Sequence, residues 1–515
     1  MSLQFIFGNS GSGKSHYLYQ QIVEESIRHP EKNYLVLVPE QFTMQTQKDL
    51  CMTHPRGGIM NIDVLSFGRL AHRVFEETGK ERQPILDDEG KNLVLRKIAG
   101  NYEDELTVLK GNLKKQGYIS EVKSVISEFT QYGIDFEQLD SFMEGLNPES
   151  YLYYKLKDVR KVYEGFEDYL RDKYITKEEL LDVLSQTVPE AKMLKDSVIA
   201  MDGFTGFTPV QNRLIGELLK VCDKIMLTVE IDRREDPFVY KHPYQLFALS
   251  KQMVTSLTEV AQEVRVEIDE PVWLCKNPSY RFKENPEMAF LEEELFRYSR
   301  RKYSGEKMRS ISLHEVHTPQ EEAQYVAEEI RRLVREEGYR YREIAVIASD
   351  LSTYADALEK ACDRYEIPVF MDHKKSILLN SFVEYLRSLL VMVEQNYTYE
   401  SVFRYLRTSL CGFTRDEVDR LENYCLALDL KGFKKWDQVW VRKTPMTTKE
   451  ELEELNHLRM RFVEKLTPLH TVLKKRKKTV KEITLAVYEY LVQEKIQEQL
   501  AELEQKFQED GELAL

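Results

Sequence analysis

The stretch "LQFIFGNSGSGKSHYLYQQI", residues 3–22, decides the fold of this chain. An uninterrupted apolar run, residues 3–7, leads directly into a glycine-rich segment, and a helical pattern follows from Lys14. The glycine-rich segment, residues 8–15, has the G-x-x-x-x-G-K-S pattern of a phosphate-binding loop. A buried strand, this loop and a helix in this order predict the first unit of a parallel α/β sheet that binds a nucleotide.

Each residue type in the loop suits the binding of phosphate. Glycines let the backbone turn so that its N–H groups face the β-phosphate. The lysine places a positive charge beside the β and γ oxygens, and the serine after it offers a hydroxyl to Mg²⁺. We therefore expect ATP and Mg²⁺ to bind here. The predicted nucleotide-binding residues are Gly8, Asn9, Ser10, Gly11, Ser12, Gly13, Lys14 and Ser15.

The composition is that of a globular protein with more than one domain. Of 515 residues, 42% are hydrophobic and 31% are charged, and the formal net charge is −14. This charge argues against a protein that coats nucleic acid with its whole surface, but a local groove needs only a few Lys or Arg side chains. The six cysteines form no C-x-x-C pair, so this chain offers no zinc or iron–sulfur site. Without a long apolar run or a signal peptide, we expect a cytoplasmic chain and no membrane partner.

Strand-like and helical segments occur in blocks. From about 80 to 190 and again from about 398 the spacing is helical only. Continuous apolar runs between helical patterns are typical of parallel sheets that are covered on both faces. Besides residues 3–7, the strands expected in the first sheet are 34–39, 62–67, 197–202 and 224–231. The strands expected in a second α/β unit are 310–316, 343–349 and 367–372.

Hydrolysis of the nucleotide requires more than the loop. A further strand should end in an Asp that holds Mg²⁺ and a Glu that activates the attacking water. In "VIAMDGFTGF", residues 198–207, Asp202 follows an apolar strand, but the next residue is Gly203, which has no side chain. We predict that Ser15 and Asp202 hold Mg²⁺ and that no residue is catalytic. The alternative for Asp202 is a helix cap or turn residue without a metal.

The stretch "AMDGFTGFTPVQ", residues 200–211, resembles the D-E-F-Q-D-T-N-x-x-Q motif of superfamily 1 UvrD-like helicases. Asp202, Phe204 and Gln211 match the first Asp, the Phe and the last Gln of that motif. Further blocks are similar to the AddB subunit family of bacterial AddAB helicase–nucleases, and the resemblance extends over nearly the whole chain. These blocks are residues 38–50, 64–75, 342–375 and 402–428.

The resemblance implies an α/β fold of two RecA-like parallel-sheet domains, 1A and 2A, with helical insertions 1B and 2B. The predicted boundaries are 1–80 and 190–285 for 1A, 81–189 for 1B, 305–397 for the start of 2A, and 398–515 for a truncated 2B. Members of the AddB family are longer. We therefore expect an N-terminal part of such a protein, with the nuclease domain and its iron–sulfur cluster confined to the C-terminal part.

The resemblance also implies a role. AddB pairs with the AddA helicase–nuclease subunit, which carries the motor, and the complex processes broken double-stranded DNA ends. The helicase-like half of AddB inspects single-stranded DNA for the Chi sequence. We therefore expect an AddA-like partner in a heterodimer, and both single- and double-stranded DNA as ligands. Gly203 replaces the catalytic Glu and Ser349 stands where helicases place an arginine on the γ-phosphate, so we expect ATP binding with little or no hydrolysis.

Polar and aromatic residues that follow the predicted strands are the candidate DNA contacts. In superfamily 1 helicases the segment after the second strand, here residues 39–43, meets the DNA backbone. Aromatic rings stack on bases, arginine binds phosphate or guanine, and ligands bind at the carboxyl ends of parallel strands. The alternative is that Phe67 and Phe204 belong to the core and that Arg69 pairs with a carboxylate. The predicted DNA-binding residues are Gln41, Thr43, Phe67, Arg69, His72, Phe204 and Phe207.

Two other functions stay open. A P-loop kinase or other small-molecule phosphotransferase would explain residues 8–15 but not the second α/β unit. A scaffold that nucleotide merely stabilises, without DNA reading, would also fit. Two basic runs, residues 297–303 and 474–478, are predicted to be solvated loops, with contact to duplex DNA as the alternative.

Overall fold

The computed structural model describes residues 1–79, 84–171, 173–305, 308–371, 377–408, 410–445 and 447–509. The chain divides into two compact units, Met1–His314 and Glu315–Leu515. The first unit contains a parallel sheet with helices, and the described part of the second unit is helical. Among the described residues, no helix combines the length and the apolarity that a bilayer span requires.

A seven-stranded parallel sheet forms the centre of the first unit. Its strands are β1 Ser2–Gly8, β2 Tyr34–Leu37, β3 Ile62–Leu65, β6 Val198–Met201, β7 Lys224–Glu230, β8 Glu267–Ile268 and β9 Val272–Trp273. They lie in the order β3-β2-β6-β7-β1-β8, and β9 also pairs with β1. The prediction of an α/β fold with a parallel sheet is therefore confirmed.

Both faces of this sheet are covered by apolar side chains. Alternate residues of β2 enter different cores, Leu35 and Leu37 on one face and Tyr34 and Val36 on the other. This two-sided burial explains why the strands are continuously apolar in the sequence. The helices around the sheet are α1 Lys14–Arg28, α2 Thr43–Thr53, α3 Phe67–Thr78, α8 Leu180–Thr187, α9 Pro209–Leu219, α10 Ala248–Glu263 and α11 Pro286–Glu294.

A helical insertion separates β3 and α3 from β6. It has a core of its own, and its first and last segments pair as two short parallel strands, β4 Ile85–Leu86 and β5 Ile175–Thr176. Helix α8 packs its apolar side chains into the core of the sheet, so the core of the insertion ends before that helix. Residues 81–83, where the predicted insertion begins, lie outside the described residues. The helices of the insertion are α4 Asp88–Asn101, α5 Gln116–Tyr132, α6 Phe136–Glu144 and α7 Tyr151–Leu170.

The described part of the second unit contains two helical cores, one between the helices Pro319–Glu336 and Leu351–Arg364 and a larger one from the helix Ser381–Glu394 onward. The larger core is rich in aromatic side chains, including Tyr385, Trp436 and Phe462. The helices of this unit are α12 Pro319–Glu336, α13 Leu351–Arg364, α14 Ser381–Glu394, α15 Tyr399–Leu406, α16 Arg415–Leu428, α17 Phe433–Asp437, α18 Lys449–Leu473, α19 Val480–Gln493 and α20 Ile496–Glu509.

The three strands predicted over residues 310–316, 343–349 and 367–372 are not strands in the part of these segments that the structure describes. The prediction is wrong there because a strand needs a hydrogen-bonded neighbour, and these segments pair with no other. Their apolar side chains are instead exposed: Leu313 to 98%, Ile347 to 93% and Phe370 to 92%. Residue 372 lies outside the described residues.

Candidate functional site

The phosphate loop, residues 8–15, joins β1 to α1 at the carboxyl edge of the sheet. Gly11 and Gly13 have φ angles of 70° and 92°, a left-handed region that other residues adopt only with strain. The Lys14 ammonium group folds back and donates a hydrogen bond of 2.9 Å to the carbonyl oxygen of Asn9. The glycines therefore shape the turn, and the lysine closes it.

Lys14 is a partly desolvated cation. Burial lowers its pKa, and the carboxylates of Glu230 and Asp202 oppose that shift. The Arg281 guanidinium lowers the same pKa further, and Arg281 has no ion pair among the residues described. Two cations therefore face this loop, and a bound polyphosphate would neutralise both.

A segment distant in sequence lies over the loop. The Arg281 N–H group donates to the Gly11 carbonyl oxygen at 3.0 Å, and the Arg281 Cβ lies 2.6 Å from where a Cβ on Gly11 would be. Ser279 is only 1% exposed, and its hydroxyl oxygen is 3.2 Å from that same Cβ position. Ser279 and Arg281 thus form a second wall of the loop, which sequence reasoning missed because no motif marked these residues.

Three buried polar atoms at the loop have no hydrogen-bond partner in the described part of the chain: Asn9 Oδ1, Ser12 Oγ and Ser279 Oγ. Buried side-chain polar atoms without partners are uncommon, and each calls for a missing water, ion or ligand. The hydroxyls of Ser12 and Ser279 can donate to the oxygens of a nucleoside polyphosphate, whereas Asn9 Oδ1 only accepts and needs a donor such as a water. The other end of the Asn9 amide, Nδ2, donates to both carboxylate oxygens of Glu292 at 3.1 Å, which fixes its orientation.

Asp202 follows β6 and is buried, with 7% exposure. Its Oδ1 accepts a hydrogen bond of 2.5 Å from the Thr228 hydroxyl, and its Oδ2 accepts one of 2.7 Å from the Tyr19 hydroxyl. Ser15 makes no hydrogen bond to Asp202 within the described ranges, and no cluster of three His, Cys, Asp or Glu is found there. Each carboxylate oxygen of Asp202 thus accepts one hydroxyl and keeps a second lone pair, so these contacts are compatible with a metal-bound water, and Ser15 and Asp202 as magnesium ligands stay a prediction.

Gly203 occupies the position at which the resemblance predicts a lost catalytic glutamate. Its φ angle is 77°, so any other residue would be strained there. A Cβ at this position would find ordinary contacts, the nearest at 3.6 Å from Pro39. The backbone, rather than a lack of space, disfavours a side chain at this point.

Three phenylalanines, Phe67, Phe204 and Phe207, lie in contact beside the carboxyl ends of β3 and β6. The ring centroid of Phe67 lies 5.5 Å from that of Phe204 and 6.2 Å from that of Phe207, and the latter two are 5.1 Å apart. Phe67 belongs to the core of the sheet, in agreement with the alternative given for it, whereas Phe204 and Phe207 are partly buried and pack against that core. The two partly buried rings extend the core to the surface.

The other predicted DNA contacts differ in accessibility. Gln41, Arg69 and His72 are exposed, and no side-chain partner of Arg69 is found among the described residues. Thr43 is buried, and its hydroxyl donates to the Glu40 carbonyl oxygen at 3.0 Å, so its side chain is not presented to a ligand. Thr43 stabilises the turn before α2 instead.

Phe42 is an aromatic residue of the same edge that sequence reasoning passed over. It is 46% exposed, and one of its ring carbons lies 3.7 Å from where a Cβ on Gly203 would be. An aromatic residue in the turn between β2 and α2 was the available signal. The Phe42 ring therefore lies at the surface between the carboxyl ends of β2 and β6.

The two basic runs differ in their contacts. In residues 297–303, Arg297 forms ion pairs with Asp232 at 2.9 Å and Glu235 at 2.8 Å, so this cation is already neutralised. Residues 474–478 follow α18, and Lys478 donates to the carbonyl oxygen of Leu473. The first run is thus part of a surface ion-pair network, and the second includes a lysine that caps a helix.

Two family models match the chain. One, described as ADDB, N-terminal, covers residues 5–292, and the other, described as UvrD-like helicase C-terminal domain, covers residues 281–512.

Three curated relatives share one name, which describes each of them as the B subunit of an ATP-dependent helicase/deoxyribonuclease. The relative from Lachnoclostridium phytofermentans is 39% identical over 515 residues, which are 99% of this chain and 45% of that protein. The relative from Clostridium perfringens (strain ATCC 13124) is 34% identical over 95% of this chain and 43% of its own length. The relative from Acetivibrio thermocellus is 32% identical over 100% of this chain and 45% of its own length. The chain therefore spans less than half the length of these relatives.

Proposed function

The chain belongs to the AddB family, and from this premise we propose that it is the helicase-like part of a subunit that processes DNA ends, and that it binds ATP with little or no hydrolysis. The relatives are named as one subunit of an ATP-dependent helicase/deoxyribonuclease, which supports such a role in a helicase–nuclease. We propose the domains 1A, 1B, 2A and 2B with the boundaries that the sequence predicts, except that α8, whose apolar side chains pack into the core of the sheet, is assigned to 1A.

One observation carries the proposal of nucleotide binding: a phosphate loop with two cations and two unpartnered serine hydroxyls, those of Ser12 and Ser279, around it. Lys14 would bind the β and γ oxygens, and the backbone N–H groups of residues 11–15 would surround the β-phosphate. Ser279 and Arg281 would close the site from the opposite side. The phosphates of bound ATP would bring negative charge next to Lys14 and Arg281.

Impaired hydrolysis rests on Gly203, the second residue after β6. Gly203 offers no side chain to activate water, and its left-handed backbone disfavours one. Loss of one catalytic group of this kind typically lowers a rate by orders of magnitude.

A Lys14→Ala variant tests the nucleotide site. We expect the affinity for a fluorescent ATP analogue, measured by anisotropy, to fall by about tenfold or more, because a charge-assisted contact is lost. Lys48→Ala, an exposed lysine on α2, is the matched control. Turnover of ATP that single-stranded DNA stimulates and that Lys14→Ala abolishes would contradict impaired hydrolysis. Absence of nucleotide binding in the unsubstituted chain would leave only the scaffold alternative.

We also propose that the carboxyl edge of the sheet binds single-stranded DNA and scans it for Chi. Phe42, Phe204 and Phe207 present aromatic surface there, beside the exposed side chains of Gln41 and Arg69. Aromatic rings can stack on unpaired bases, and a cation beside the rings can bind the phosphates between those bases.

Phe42→Ala tests this surface. We expect the affinity for a short oligonucleotide to fall about tenfold, the effect of losing one base stacked on a ring. Met44→Ala is the matched control, because Met44 is exposed nearby and apolar. In the complex with the partner subunit, Arg69→Ala should weaken the response to Chi. An unchanged response would count against the assignment of Arg69.

The word "subunit" in the name of the relatives supports a partner. We propose an AddA-like helicase–nuclease subunit in a heterodimer that acts on broken double-stranded DNA in the cytoplasm. Co-purification of the two chains tests this proposal. Phosphorylation of a small molecule without DNA would instead revive the kinase alternative.

A further inference from the structure

The backbone carbonyl oxygen of Asn9 is the acceptor that closes the phosphate loop. It accepts a hydrogen bond of 3.2 Å from the Ser12 N–H group and one of 2.9 Å from the Lys14 ammonium group. A carbonyl oxygen has two lone pairs, and these two donors occupy both. The orientation of Asn9 therefore affects the turn of the loop and the place of the lysine that would bind phosphate.

The side chain of Asn9 is held by a residue 283 positions away in the sequence. Asn9 Nδ2 donates to the two carboxylate oxygens of Glu292, at 3.1 Å each. The other polar atom of this amide, Oδ1, has no partner in the part of the chain that the structure describes. Hydrogen bonds to an ionised acceptor are stronger than those between neutral groups. Glu292 is thus the group that fixes how the Asn9 side chain points.

Helix α11, which carries Glu292, is itself anchored within the first unit. Near its start, the Glu287 carboxylate accepts a hydrogen bond of 2.7 Å from the backbone N–H group of Ser310. Near its end, the Arg234 guanidinium donates to the carbonyl oxygen of Glu293 at 2.8 Å. A helix that is held at both ends presents the Glu292 carboxylate at a defined place, and a group that orients another must itself be fixed.

The charge of Glu292 and its hydrogen bonds would affect a bound nucleotide in opposite directions. A carboxylate near a polyphosphate repels it, so the charge alone predicts that removal of Glu292 strengthens nucleotide binding. Orientation of the loop through Asn9 predicts the reverse, because a loop that is ordered beforehand loses less conformational entropy when the ligand binds. The sign of the change in affinity therefore separates the two effects.

We propose that Glu292 is a positioning residue for the nucleotide: it orients Asn9, and through Asn9 it keeps the phosphate loop in the conformation that binds phosphate. The inference rests on the proposed nucleotide binding and goes further, because it extends the site to α11. It assigns a role to a carboxylate that the phosphate-loop motif does not include and whose charge alone would oppose the ligand.

Anisotropy titrations of the 515-residue chain with a fluorescent ATP analogue test this proposal. We expect Glu292→Ala to weaken binding by about tenfold, although it removes a negative charge. Glu292→Gln keeps an acceptor for Asn9 Nδ2 and should restore the affinity to within about threefold. Glu293→Ala removes the same charge from the next position of α11, where the side chain pairs with Arg301, and should change the affinity by less than about twofold.

Asn9→Ala keeps the backbone carbonyl but loses the amide that Glu292 holds, so it should weaken binding by about tenfold as well. If Glu292 acts through Asn9, the double variant Asn9→Ala/Glu292→Ala should bind no more than about twofold more weakly than either single variant. Losses that multiply in the double variant would show that the two residues act independently and would overturn the inference.

The remaining outcomes separate this inference from the proposed function. Binding by Asn9→Ala or Glu292→Ala that is as tight as in the unsubstituted chain would overturn the inference and leave the nucleotide site standing. Glu292→Gln that binds as weakly as Glu292→Ala would also overturn it, since the hydrogen bond would then not be the cause. Asn9→Ala decides the question even if Glu292→Ala does not fold. Absence of nucleotide binding in the unsubstituted chain would overturn the proposed site and the inference together.

Discussion

Single residues with similar surroundings in the sequence have different physical roles in this molecule. Gly203 and Gly206 lie in one turn, but only Gly203 has a left-handed backbone. Arg69 and Arg73 lie on one helix, but only Arg73 has a described ion pair, to Asp63 at 2.8 Å. Gly206 is therefore a control for the backbone conformation of Gly203, and Arg73 is a control for the unpaired charge of Arg69.

Gly203→Ala should lower the free energy of unfolding by about 1 kcal/mol, because alanine is strained in the left-handed region. Gly206→Ala should change it by less than about 0.5 kcal/mol, since a Cβ there meets no atom within 4 Å and the backbone is not left-handed. Denaturant unfolding measures both variants. Equal destabilisation would show that the conformation of Gly203 is not the cause.

Arg69→Ala should lower the affinity for single-stranded DNA about tenfold at low salt, because a contact to a phosphate or guanine is removed. Arg73→Ala should leave that affinity nearly unchanged, since its guanidinium is engaged by Asp63. Anisotropy titrations with one oligonucleotide compare the two. An equal loss in both variants would indicate a general effect of charge rather than a contact to Arg69.

At the scale of elements, the helical insertion is packed closely enough to constrain single side chains. On α7, a Cβ at Gly165 would lie 2.6 Å from the ring of Tyr102, so α7 approaches the end of α4 at a distance that only glycine permits. On the same helix, burial and the neighbouring Glu179 raise the pKa of Glu167 to about 7. The insertion therefore contains a carboxyl group whose charge opposes folding at neutral pH.

Glu167→Gln should stabilise the first unit at pH 8 and not at pH 4. Because the folded pKa is raised above the ordinary value of 4.5, the folded state keeps a proton that the unfolded state has released, so stability falls as the pH rises from 4.5 to about 7. After allowance for partial exposure, the expected gain at pH 8 is about 1 kcal/mol.

Thermal unfolding at the two pH values measures this gain. Asp168→Asn, at an exposed position of the same helix, is the control and should change stability by less than about 0.5 kcal/mol. A gain from Glu167→Gln that is equal at both pH values would contradict the electrostatic cause.

At the scale of the whole molecule, net charge limits how nucleic acid can bind. The chain carries a formal charge of −14, which repels a polyanion except where cations are presented locally. Among the predicted DNA contacts, the exposed basic side chains are Arg69 and His72. Stacking on aromatic rings, rather than neutralisation of many phosphates, should therefore dominate the affinity.

The dependence of DNA binding on salt should accordingly be weak. With one or two phosphate contacts, the slope of log affinity against log salt should be about −1 for single-stranded DNA. Titrations between low and physiological salt measure the slope, and Arg69→Ala should make it shallower. A slope steeper than about −4 would indicate a more extended basic surface, such as residues 474–478, and would contradict the local site.

The phosphate loop and five of the seven described strands of the first sheet could be predicted from the sequence alone, because continuous apolar runs, glycines and a lysine at fixed spacing are local properties of the chain. The strands β8 and β9 were not predicted, since each has only two residues and no apolar run marks it. The helical insertion followed from its periodicity for the same reason. A strand, however, exists only with a neighbour. The apolar segments around Leu313, Ile347 and Phe370 matched the local pattern but pair with no strand among the residues described.

Only the tertiary structure decided how the site is completed. Ser279 and Arg281 belong to a segment that is far from the phosphate loop in the sequence but lies against it in the fold. Phe67 is part of the core, and Thr43 is buried in the turn before α2. Asp202 is held by hydroxyls from α1 and β7, which no spacing in the sequence relates to it. The sequence determined which groups can bind phosphate, because the motif is local, whereas contacts between residues far apart in the chain determined which side chains surround those groups and hold Asp202 in place.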